Sequence, residues 1–205
     1  MIFAIGTTDI TVYPFFNPDI PSGWDVRYHT ARIMNLADAL RSGQLVSRVG
    51  GFSYNGYGAA TSVLYPDLFL VPSALMVLCG CSITFVYNFF IVSIAFLTVL
   101  AMYAAIRALH GTQDEAMCAS ILYTFANYRL YDLHVNSMSG ELLAMLFLPL
   151  FTASLIQVLE DHPEKWPFLT LTAYCLLASH LVTTFQCLIL AHHPDSISLS
   201  SIKTQ

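Results

Sequence analysis

The residues best suited to chemistry fall in three places. In the stretch GWDVRYHTARI, Asp25, His29 and Arg32 follow one another at spacings of four and three. Residues four apart share a helix face, so Asp25 and His29 would stand together. A carboxylate there can act as general base or cation ligand, with His29 and Arg32 holding an anionic group such as a phosphate. Asp25 also suits the N-cap of a solvated amphipathic helix, and spacing alone favours that reading over the chemical one. Further on, Arg129 and Asp132 form an i, i+3 pair, and Glu141 opens the next apolar run. Such charges at the edge of a membrane core pair with one another or line a polar cavity. Interfacial snorkelling and helix capping are the alternative. His180 lies well inside the apolar run LLASHLVTT. An ionisable residue there is a functional candidate, or a neutral imidazole bonded to Ser179 or Thr183.

Other chemistries find no support. The chain has no P-loop, no dinucleotide-binding glycine pattern and no HExxH. Cys79, Cys81, Cys118, Cys175 and Cys187 sit mainly in apolar runs without a CxxC pair, as small buried hydrophobes do. His192-His193 are a weak metal signal; the identity of any cofactor stays open, a divalent metal included. A net charge of -5, with no basic stripe, argues against nucleic acid as a partner.

The elements that must position these residues are dictated by composition. Of the 205 residues, 56% are hydrophobic and only 10% charged, and the mean hydropathy is +0.63. A soluble domain carries about 25% charged residues. This chain needs lipid as part of its solvent, which predicts an all-α, polytopic membrane helix bundle in the cell membrane. MIFAIG reads as the end of a truncated first helix, and residues 1–62 as that end plus a polar outer loop holding an amphipathic helix. Within the loop, Tyr28, Ile33, Leu36, Ala37 and Leu40 recur at helical spacing between Trp24 and Ser42, with Gly43 as the stop. The Gly- and Tyr-rich stretch from Arg48 to Thr61 reads as loop. Residues 63–190 form the transmembrane region, with about four spanning or partly spanning helices.

Ser62–Cys81, interrupted by Pro66, Asp67 and Pro72, enters the membrane partly or lies along it. Ile83–Leu109 is the clearest span, followed by the shorter Ala116–Tyr128, then Leu142–Leu159 with a kink at Pro149, then Phe168–Leu190 anchored by Trp166. Residues 191–205 read as a polar, disordered or truncated tail. If Ser62–Cys81 does not cross, the segment 7–62 and the patch Asn127–Glu141 share the outer face.

The order of these features resembles a bacterial group of multi-spanning proteins, labelled "6-pyruvoyl-tetrahydropterin synthase-related", that is similar to GT-C-type glycosyltransferases. The resemblance rests on an acidic residue followed by YHxxRI (Asp25, Tyr28, His29, Arg32, Ile33) and on LxxGQ (Leu40, Gly43, Gln44). A YPPL-like start (Tyr65-Pro66-Asp67-Leu68), YRLxDLxV with a downstream Glu (Tyr128 to Val135, Glu141), FLPL (Phe147–Leu150) and a late Ser179-His180 complete it. Asp67 stands where the group has a second proline, and Asn136 where an arginine is expected.

The resemblance, which spans nearly all of residues 15–190, implies sugar transfer from a polyprenyl-phosphate donor at the outer face. Asp25 would be the base or metal ligand and Arg32 and Arg129 the phosphate contacts, with His29, Asp132, Glu141 and His180 in support. It implies further helices and an outer domain beyond Ala191. Nothing in the residues suggests pterin chemistry. A transporter or flippase component and an inactive fragment are the other readings.

Overall fold

The computed structural model describes residues 1–17, 19, 21–45, 49–52, 56–60, 65–160 and 162–192. The expected loop start at Arg48, the segment start at Ser62, His193 and the tail beyond it lie outside these residues. Among them the chain is helical, with one isolated bridge between Gly50 and Ala59.

Helix α1 (Ile2–Val12) continues as a 3-10 turn through Phe16, so the first helix reaches further into the polar segment than MIFAIG suggests. Helix α2 (Val26–Arg41) follows the expected amphipathic pattern, burying Ile33, Leu36 and Ala37. Pro72 opens α3 (Val71–Leu78), where a missing N–H costs nothing. The central helix α4 (Ile83–Ala108) starts on a Ser82 side-chain cap, and α5 (Gln113–Thr124) on a capping box between Thr112 and Glu115. The expected run to Tyr128 breaks after Thr124, and α6 (Asn127–Tyr131) restarts it before a π-helical turn, Asp132–Asn136. Helix α7 (Ser139–Leu159) holds Pro149 in its interior.

The expected last span is not one helix. α8 (Trp166–Leu177) ends at Ala178, and α9 (Leu181–His192) turns back beside α7, where Cys187 joins Ala144, Phe151 and Leu176 in a shared apolar cluster. His180 stands at this reversal.

Among the described residues two helices, α4 and α7, are long and apolar enough to cross a membrane. They run parallel. Gln157 Nε2 donates to the Ala108 carbonyl at 2.7 Å where both helices end, and Tyr87 and Ser137 meet where they begin. α1 runs opposite to α4: Phe3 touches Tyr103, while the Asn17 carbonyl accepts from Asn88 Nδ2 at 3.2 Å. The outward faces are apolar as well, with Phe85, Phe89, Leu97, Phe185 and Leu188 exposed.

Pro149 has no N–H for the carbonyl of Met145, one turn back. Tyr123 of α5 donates its hydroxyl to that carbonyl instead, at 2.8 Å. The proline thereby creates the acceptor that ties α5 to α7.

Candidate functional site

The polar residues collect where α4 and α7 begin. The backbone N–H groups of Trp24 and Asp25 donate to the carbonyls of Val135 and Asn136, at 3.1 and 3.0 Å. The start of α2 and the π-turn are thus one piece, and the two polar segments meet. Gly23 permits this approach, because a Cβ there would run into the Ser137 side chain. Ser137 itself is in the left-handed region (φ 60°, ψ 38°), a conformation uncommon outside glycine, Asn and Asp.

Asp25 occupies the N-cap position of α2, but its side chain makes no capping bond. His29, one turn on, is buried, and Arg32 Nη1 lies 3.5 Å from its Nδ1. Burial first, then the positive charge of Arg32, push His29 down to about 3, so the imidazole is neutral at physiological pH. Arg32 is committed elsewhere. Its Nη2 meets Asp67 Oδ1 at 2.7 Å and the carbonyls of Pro66 and Tyr65 at 2.9 and 3.3 Å. The rings of Tyr28 and Tyr65 flank its guanidinium. The expected phosphate contact at Arg32 is therefore occupied by the segment leading into α3.

Arg129 is also buried, but less satisfied. Its Nη1 donates to the Thr124 carbonyl at 3.2 Å, while Nε and Nη2 make no hydrogen bond. These two donors lie on one edge of the guanidinium, spaced for two oxygens of a single oxyanion. The i, i+3 spacing does not close an ion pair with Asp132. Asp132 is fully buried, and neither carboxylate oxygen has a hydrogen bond of normal geometry. Burial first, then the Glu141 charge, push its carboxyl up to about 7, against the opposing influence of the Met138 N–H and the Asn136 side chain.

Glu141, in the first turn of α7, accepts from the Tyr128 hydroxyl at 2.8 Å. His180 Nδ1 lies 2.9 Å from Thr183 Oγ1, the local hydroxyl partner foreseen for it, and its ring packs near Gly140. Glu141 is within electrostatic reach of Asp132 and His180, His180 of His29, and Asp25 of Asp132. Asp25, His29, Asp132, Glu141 and His180 thus form one group, with Arg129 at its edge and Arg32 behind it.

Tyr128, Arg129, Glu141, Met145, Thr183 and Gln186 line a cavity of about 280 Å³ between α6, α7 and α9. A larger apolar groove of about 530 Å³ runs between α3, α4 and α7, past Phe69, Phe89, Leu97 and Phe147. Among the described residues no group of three or more His, Cys, Asp or Glu is placed to hold a metal ion. No protein-family model, curated protein or solved structure matches this chain.

Sequence reasoning missed three contributors. Asp67 stood out only as a departure from a motif, since no local period links it to Arg32. Tyr87 looked like one more apolar-run aromatic. Asn35, whose side-chain oxygen accepts from the Phe52 N–H at 2.9 Å, carried no signal of its role in fixing the glycine loop.

Proposed function

We propose that this chain is the N-terminal part of a multi-pass membrane glycosyltransferase-like protein, transferring sugar from a polyprenyl-phosphate donor at the outer face. The observation that carries this function is Arg129, which lines a cavity together with Glu141 and whose Nε and Nη2 make no hydrogen bond, beside a carboxylate group that reaches Asp25 through Asp132. Asp25 takes the proton of the acceptor hydroxyl as the new C–O bond forms. The bond from the sugar to phosphate breaks, and Arg129 holds the charge left on the phosphate oxygens. His29, neutral and beside the Arg32 guanidinium, helps keep Arg32 in place behind the site. The apolar groove beside α4 suits a hydrocarbon chain. Asp25→Asn in the membrane-inserted protein is expected to abolish transfer from a polyprenyl-phosphate sugar while insertion is unchanged. Transfer retained by that variant would remove Asp25 from the reaction.

A transporter or flippase component is the second reading, and the reversal at Ala178–His180 favours it. Broken apolar helices with an ionisable residue at the break are how transporters build sites within the membrane. Leaflet-to-leaflet movement of the lipid-linked sugar in proteoliposomes, with no transfer to an acceptor, would decide for it.

A further inference from the structure

Among the described residues, a group of orphaned polar atoms gathers at the π-turn between α6 and α7 and at the α4 residue facing it. Both oxygens of Asp132, the Ser137 Oγ and the Tyr87 hydroxyl are buried, and none completes a hydrogen bond of normal geometry. The same turn supplies the carbonyls that hold the N–H groups of Trp24 and Asp25. It is closed on itself by the Ser137 N–H donating to the Asp132 carbonyl at 2.6 Å. The group that would strain this clasp is therefore the carboxyl at its centre.

From these contacts we infer that the clasp between the π-turn and the start of α2 is held shut by a proton on Asp132 and loosens when that proton leaves. The first helix packs on the turn through Thr11 and Phe15 against His134, and the other elements around it supply titratable or charged groups. Asp25 faces it from the start of α2, Glu141 from α7, Tyr87 from α4, and Arg129 with Tyr128 from α6; His134 belongs to the turn itself. Two of these are carboxylates and only Arg129 is a fixed cation, which makes no ion pair with Asp132. An ionised Asp132 is then a buried charge with no ion-pair partner, which the Met138 N–H and the Asn136 side chain only partly offset, and exposing it to water relieves the cost. A neutral carboxylic acid can instead donate to a neighbouring oxygen, and the adjacent Ser137 and Tyr87 hydroxyls supply acceptors. Asp25 is seated by this clasp, so its position follows the protonation of Asp132. The clasp stands whether or not Asp25 serves as a base.

The sign follows from linkage. The closed clasp binds the Asp132 proton up to about pH 7, whereas an opened, solvated Asp releases it near its ordinary value of about 4. Opening therefore becomes easier by up to about tenfold per pH unit between those values and levels off above them. Amide hydrogen exchange at Trp24 and Asp25 reads this directly in the full chain in lipid nanodiscs. Intrinsic exchange alone gives a slope of about one in log rate against pH. The expected wild-type slope approaches about two below pH 7 and returns to one above it, and Asp132→Asn is expected to give a slope of one throughout. Glu141→Gln, which removes a neighbouring negative charge, should move the break to lower pH; this holds the test should Asp132→Asn not fold. A slope of one throughout in the wild type, a steep slope retained in Asp132→Asn, or an unmoved break in Glu141→Gln would each overturn the clasp.

Discussion

Arg32 shows how a residue's type and its role can part. Its place after Asp25 and His29 suggested an anion, and its charge is instead taken by Asp67, thirty-five positions along the chain. The side chains on both sides of this bond are about 90% buried or more. Removing one member of such a pair leaves the other as an uncompensated interior charge, which costs about 3–5 kcal/mol. Asp67→Ala should lower stability by that order, measured by thermal unfolding in detergent micelles. An Arg32→Leu, Asp67→Leu double variant should lose less, because no charge is stranded. Equal loss in both would mean that the packing of Tyr28 and Tyr65 about the guanidinium matters more than its charge.

At the scale of elements, the sequence was most legible where one local rule suffices. The period through Ile33, Leu36 and Ala37 marked α2, and unbroken apolar runs marked α4 and α7. It was least legible where a helix ends inside an apolar run. Neither Thr124-Phe125 nor Ala178-Ser179 contains a glycine or proline to announce a stop; both stops depend on packing against other helices. For the same reason the residues of the candidate site were nearly all legible as candidates, while their partners were not. Asp25 and Asn136 are joined by backbone atoms, which no side-chain pattern reports.

Pro149 illustrates the converse, a visible residue with an invisible partner. Tyr123→Phe should cost on the order of 1 kcal/mol, since it leaves the Met145 carbonyl without a donor. In a Pro149→Ala background the helix can supply that donor itself, and Tyr123→Phe should then cost much less. A double-mutant cycle on unfolding free energy checks this; additive effects would show that the hydroxyl does not serve the broken ladder.

For the molecule as a whole, the parallel run of α4 and α7 demands that the chain return between them. With the five cysteines replaced, single probes at Ser22→Cys and Tyr131→Cys should label from one side of the membrane and Gln113→Cys from the other. Labelling of Ser22→Cys and Tyr131→Cys from opposite sides would separate the two polar segments and dismantle the composite site.

Under the proposed membrane reading, the breaks after Thr124 and at Ala178 have a consequence for the bilayer itself. Helices α5 and α8, at 12 residues each, rise only about 18 Å, against a hydrocarbon thickness of about 30 Å. The backbone carbonyls freed at such a depth must be met from within the protein. Arg129 does so for Thr124, whose carbonyl takes its Nη1. In a membrane, α5 beside α4 and α8 beside α7 are each too short for the hydrophobic slab next to them. Lipid there must thin, or water must descend to the carboxylates, on the side of the protein where α6 and the α8–α9 reversal meet.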